Sequence, residues 1–442
     1  MIYPTLSTRE TFDDPFGDLI ELPETLESSF LEDKDLQAAA AFAAEWSTYT
    51  QALAILGFYR WLGDREPTLA RPDDPLSLLD PLYSKHLNAI FHLPVNGFEV
   101  CLLPCLSWSE DTIAIPRVVV ELGQFTDQFY AIAALDESLE AIAIKGFLNY
   151  QELSALTTNL TAGSDWNYYL HIDDFHHNLD ALLLNLQCLA PEAIQRLEPT
   201  ETPVPSEQIS SLHAKLPLMK ESDRPLWQQL SWEESLPLWS HPELLQWLES
   251  DADSSDRNSK THLADLLQLL LQPAIDVTNW LSDRADELQE TVMGGGWQLI
   301  PATAFRRHLP LSPAADVNTL LAEIDRETGV SVPKNAGRAY QDLNIGLGVR
   351  LYAITWCLSY EDSWTLLLIL GTRSSPELAA ELGWRISDQS GILVEESLSV
   401  HRSNSYLFAQ AIGTYDEKFL VTLFSGTDSV MSLPPFSFPW GN

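Results

Sequence analysis

The chain has 442 residues and a mass of 49.6 kDa, a length that at roughly 150 residues per domain predicts about three folded units and excludes one small domain. A composition of 45% hydrophobic and 10% aromatic residues supplies a core and excludes a wholly disordered chain. With 63 Asp and Glu against 25 Lys and Arg, the net charge of −38 excludes a broad basic face, and so disfavours nucleic acid and anionic lipid as partners.

Residues 1–35 read as an acidic lead-in, ordered in part at best, with ten acids and the single base Lys34 between Glu10 and Asp35. Its start, Met1-Ile2-Tyr3-Pro4, has neither a basic n-region nor an apolar h-region, so no signal or transit peptide is expected. From about Asp35 to Leu62 the apolar residues Phe42, Trp46, Tyr49, Leu53 and Leu56 recur at helical spacing, and the alanines 38–41 raise helix propensity. Between Asn96 and Tyr150 the pattern changes to short β-rich runs, Phe98–Leu103, Thr112–Leu122, Gln128–Leu135 and Glu140–Phe147, which predict an antiparallel meander. Ile172, Phe175, Leu179, Leu182, Leu183 and Leu186 then mark one face of a helix. Residues 36–189 are thus predicted to form an α+β N-terminal domain.

Eight prolines between Ala190 and Pro242 predict a broken connection, and Glu249–Lys260 is acidic, serine-rich and the best candidate for disorder. Residues 190–260 are therefore read as a Pro/Trp-rich and acidic linker. Residues 261–296 read as a helical segment, split at Pro273 and ended by Gly294-Gly295-Gly296, and 297–344 as an irregular connection. Within 345–442 the runs Val349–Leu358, Trp364–Leu370, Leu382–Ser387, Ile392–Val400, Tyr406–Ile412 and Phe419–Phe424 predict an antiparallel β-sandwich.

No motif in this order carries diagnostic chemistry. In His171-Ile172-Asp173-Asp174-Phe175-His176-His177 the residue types suit a metal, but His171 and His176 are five apart where two helical imidazoles need four, so the segment reads as an exposed helix start. Cys101 and Cys105 have three intervening residues and no second ligand pair, which fits buried thiols; four cysteines in all fit a reducing cytosol. Gly346-Leu347-Gly348 precedes a strand and the triple glycine follows a helix, so neither reads as a nucleotide loop. No catalytic, metal or cofactor residue is assigned. No apolar run approaches the roughly 20 residues of a membrane helix.

The sharpest excess is Trp227, Trp232, Trp239 and Trp247, four tryptophans in 21 residues. Tryptophan is an amphipathic anchor, so this proline-broken segment either docks a protein partner or wraps back onto its own domains.

Four features together resemble one family: the early helix leading through Phe58-Tyr59, the phrase LDESLEAIAIKGFL (Leu135 to Leu148), VTNWL (Val277 to Leu281) with GGW after it, and LNIGLGVRLYAITWCLSY (Leu343 to Tyr360). The chain is similar over about Leu36 to Phe438 to the cyanobacterial family catalogued as domain of unknown function 1822. That resemblance implies a soluble cyanobacterial setting and, through members encoded near sigma-factor genes, a signalling context; it implies no mechanism.

The expected function is a non-enzymatic, cytoplasmic protein-interaction or regulatory module whose acidic surface suits a basic protein partner. Two alternatives stand beside it. One is a transcriptional regulator that sequesters a sigma factor by covering its basic DNA-facing patches. The other is an enzyme or carbohydrate-binding protein that uses the β-sandwich, with Trp356, Trp364 or Trp384 stacking on sugar rings.

Overall fold

The structure is a computed structural model that describes residues 28–43, 45–136, 141–200, 204–222, 224–250, 257–281, 296–300, 313–345, 349–358, 362–372, 382–397, 406–425 and 429–439. It divides into two compact units, Met1–Thr200 and Glu201–Asn442.

The first unit runs β1 (Ser28–Phe30), α1 (Asp33–Phe42), α2 (Trp46–Arg65), α3 (Pro81–Ser84), β2 (Ile90–Val95), β3 (Phe98–Cys105), β4 (Thr112–Pro116), α4 (Val118–Glu121), β5 (Phe129–Leu135), β6 (Ala141–Asn149), α5 (Tyr150–Thr157), β7 (Asn167–His171) and α6 (Leu179–Cys188). Its main sheet has the order β1-β6-β5-β3-β2. β3 and β5 are apolar on both faces and almost wholly buried, as central strands covered on both sides must be. On one face α2 brings Leu53, Ile55, Phe58 and Leu62, and α6 brings Leu182 and Leu186, against Val100, Leu102, Phe129 and Ala131. Gly57 allows the close approach of α2 to β6, because a Cβ there would stand 2.6 Å from Ile142 Cδ1. The expected α+β class is the observed one.

Three details differ from the sequence reading. The sheet is mixed and not an antiparallel meander: β3 and β5 pair in parallel, with Val100 in register with Phe129. The reason lies in Thr112–Leu122, where β4 leaves the sheet to pair with β7 and Val118–Glu121 forms a helical turn, so the chain re-enters beside β3 in the same direction. The single early helix is two, and Trp46, at the first turn of α2, is exposed. The end of the acidic lead-in is ordered as β1, which pairs with β6; residues 1–27 lie outside the described residues.

The second unit runs α7 (Ser206–Lys220), α8 (Trp232–Ser240), α9 (Pro242–Glu249), α10 (Arg257–Leu271), β8 (Ile275–Asp276), β9 (Gln298–Leu299), α11 (Pro313–Thr328), β10 (Gly337–Leu343), β11 (Val349–Leu358), β12 (Ser363–Thr372), β13 (Leu382–Asp388), β14 (Gly391–Ser397), β15 (Tyr406–Thr414), β16 (Leu420–Ser425), β17 (Ser429–Ser432) and β18 (Phe436–Ser437). Two antiparallel sheets, β15-β12-β11-β10-β9 and β14-β13-β16-β17, face each other. Leu351, Leu366, Leu368 and Trp364 from one interdigitate with Trp384, Ile386, Val421 and Leu423 from the other, which is the expected sandwich. α11 covers the outer face of the first sheet with Val317 and Ile324 over Ile354, Leu367 and Ile369. α10 covers the outer face of the second, where buried Asp265 accepts from Nε and Nη2 of Arg385, each at 2.8 Å, and from the Ser387 hydroxyl at 2.7 Å.

The segment read as an irregular linker is largely helical, because its prolines fall where helices tolerate them. Pro205 is the N-cap of α7, Pro225 caps a 3-10 turn, and Pro242 opens α9; Pro217 and Pro237 alone lie inside helices. Of the stretch expected to be disordered, 251–256 lie outside the described residues and 257–260 open α10. The connection 297–344 contributes α11 and the sheet strand β10.

Candidate functional site

The structure places the four predicted tryptophans unequally. Trp232, Trp239 and Trp247 are buried within α8 and α9, and Trp227, on the 3-10 turn before α8, keeps 37% of its surface exposed. Local chemistry explains the order. Ser231 and Glu234 form a capping box at the start of α8, the Trp239 indole donates to Ser235 Oγ at 3.1 Å, and Lys220 sits 4.6 Å from the centre of the Trp247 ring. Lys215 binds Glu234 at 2.6 Å, and that contact, with the cap, holds the Glu234 carboxyl down to about 2. Of the two readings left open by the sequence, wrapping back describes three of the rings, and only Trp227 stays available to a partner. The sandwich tryptophans Trp356, Trp364 and Trp384 are all buried as well, which closes them to sugar stacking.

One polar centre among the described residues carries no motif in the sequence. It gathers His92 from β2, Glu99 from β3, Asp127 from the turn before β5, and Arg196 from the segment after α6. A bulge between Ile90 and Leu93 puts His92 at φ 59°, a left-handed conformation uncommon for a residue with a Cβ. The reward is geometric: the His92 backbone N–H reaches one oxygen of fully buried Asp127 at 2.9 Å, and ring Nδ1 reaches the other at 2.8 Å. Ring Nε2 lies 2.8 Å from the Gln124 carbonyl. Both ring nitrogens therefore face acceptors, and only the doubly protonated imidazolium can donate to both. Burial pulls the His92 value down, but the hydrogen bond and charge of Asp127, the Gln124 carbonyl and Glu99 outweigh it and hold the imidazole above its ordinary range. Burial pushes the Asp127 carboxyl up, opposed by the same imidazole.

Arg196 completes the set by binding Glu99 and donating to the Thr126 carbonyl at 3.0 Å. Thr126 Oγ1 answers by donating to the Leu197 carbonyl at 3.0 Å. The strand-free segment around Arg196 thus straps the turn at Gln124–Asp127, passing so close that a Cβ on Gly123 would stand 2.3 Å from the Glu198 carbonyl. His92, Glu99 and Asp127 could each lend an atom to a cation, all within 4.8 Å. As arranged they fit one poorly, since Arg196 already supplies the positive charge at Glu99 and the imidazole nitrogens are spent on Asp127 and Gln124. With no ring nitrogen aimed outward, the centre fastens a strap better than it moves a substrate proton.

The other segments considered are engaged locally. His176 Nε2 lies 2.9 Å from Glu152, and His177 Nδ1 lies 2.9 Å from the Lys145 carbonyl. All four cysteines are free; Cys101 and Cys105 are buried, Cys357 half-buried and Cys188 exposed. Among the described residues no helix is long and apolar enough to cross a membrane.

The model of the family described as "Protein of unknown function (DUF1822)" matches residues 26–430. No curated protein and no solved structure matches the chain. Covering most of the sequence, the family match shows that the chain belongs to that family, as the resemblance implied.

Proposed function

We propose that this family member is a non-enzymatic, cytosolic protein-interaction or regulatory module that presents an acidic surface to a basic protein partner. The observation that carries the reading is where the few cations go. Arg60 is taken by Asp35, Arg65 by Asp180, Arg117 by Glu121, Arg196 by Glu99, Lys215 by Glu234, Arg350 by Asp342 and Arg385 by Asp265. Lys145 and Lys220 are turned to backbone carbonyls of their own unit. These bases neutralise neighbours among the described residues, which leaves the chain's surplus of 63 acids over 25 bases uncompensated by them. Such a field speeds encounter with a cationic surface and rejects polyanions.

A sigma factor with a basic DNA-facing surface is one partner of this chemistry. The test is affinity purification of the tagged protein from its native cell at low and at moderate salt. A stoichiometric basic protein that elutes as salt rises supports the reading, and one with the sequence of a sigma factor narrows it. A chain recovered alone at both salts argues against it.

A further inference from the structure

The strand Gly391–Ser397 is the outer edge of its sheet, and among the described residues its one strand neighbour is β13. The corresponding edge of the facing sheet, β15, lies alongside it, so both sheets open on the same side of the sandwich. Most residues of the inner strands are buried, whereas every residue of β14 keeps some exposure, including Ile392 at 36% and Leu393 at 44%. An open edge of this length offers a row of backbone donors and acceptors to a further strand.

Charge decides which strand. Glu395 is exposed and stands in register with Arg385, yet the Arg385 guanidinium is turned to Asp265, which it binds through Nε and Nη2. The Glu395 carboxylate is left without a counter-ion among the described residues. Glu396, next along, stands in register with Trp384, whose ring faces the sandwich interior. Glu395 on this bulged edge repels another acidic strand, and a second copy of this chain would bring the same acid. The same arrangement is complementary to an extended segment that places a lysine or arginine beside Glu395.

We infer that the outer edge of Gly391–Ser397 takes an extended cationic segment of a partner protein as an added strand. Main-chain hydrogen bonds supply the ladder, Ile392 and Leu393 supply apolar contact, and Glu395 supplies the charge that selects the segment. This assignment rests on the acidic-interface reading and names its contact point.

The test uses the full chain and three short synthetic peptides: alternating Lys and Val, alternating Glu and Val, and a Lys-Val peptide with prolines that cannot form a ladder. The Lys-Val peptide is expected to bind and to protect the amides of 391–397 from hydrogen exchange. The Glu-Val and proline peptides are expected to fail, and Glu395→Lys, at an exposed position that leaves the fold intact, to weaken binding by about tenfold. If the proline peptide binds as well as its parent, or if protection appears elsewhere, strand addition is wrong and the acidic-interface reading survives. If neither cationic peptide binds at low salt, both fall. Sedimentation showing a dimer that Leu393→Lys dissociates would make a second copy the occupant and overturn the assignment.

Discussion

His92 makes one residue's protonation a structural matter. Its folded value is raised above that of the free imidazole, so its contribution is complete below about pH 6.5, the unfolded value, and is lost as pH rises through the folded one. The segment 191–199 should therefore exchange its amides faster at alkaline pH than intrinsic rates explain, and His92→Gln should abolish that difference. Equal protection from below the free imidazole value of about 6.5 up to alkaline pH would contradict the imidazolium assignment. Asp265 is a second residue with leverage, because Asp265→Ala leaves the Arg385 guanidinium on the outer sheet face without its bidentate partner. A loss of about 3–5 kcal/mol in denaturant stability is expected, of the size seen when one member of a buried pair is removed. A change below about 1 kcal/mol would show that the pair is solvated.

At the scale of elements, caps and close approaches carry the predictions. Ser231→Ala removes the hydroxyl that caps the Glu234 N–H and should cost about 1 kcal/mol, with the Glu234 carboxyl staying near 2 because Lys215 and the main-chain N–H at position 231 still hold it. Titration by carbon-detected NMR would show both. Gly57→Val must push α2 away from Ile142 and should cost about 1–3 kcal/mol, measured by urea denaturation. The elements legible in the sequence were those whose period repeats: β3, β5, β6 and the sandwich strands, where alternation or a continuous apolar run extends over a whole strand. Those misread obeyed position more than composition. Val118, Val119 and Val120 look like a strand but turn as a helix where the chain leaves β4, and Pro205, Pro225 and Pro242 look like breakers but sit at helix starts. The polar centre was illegible for a related reason. His92 and Asp127 are 35 residues apart, and only the parallel pairing of β3 with β5 and the bulge in β2 bring them to 2.8 Å.

At the scale of the whole molecule the governing quantity is charge. Composition makes the chain acidic, and the structure adds that many of the described cations, among them Arg60, Arg117, Arg196, Lys215, Arg350 and Arg385, are held in local pairs. The tryptophan cluster shows the converse: it stood out by composition, yet Trp232, Trp239 and Trp247 make core, and a binding role is left to Trp227. The central claim, that this surface takes a basic protein partner, is tested most directly by the dissociation constant of the captured complex as ionic strength rises from about 0.05 to 0.3 M, a range over which screening shortens markedly. Weakening by about tenfold or more, with far-UV circular dichroism unchanged, is the predicted result. A constant that does not move with salt would contradict it.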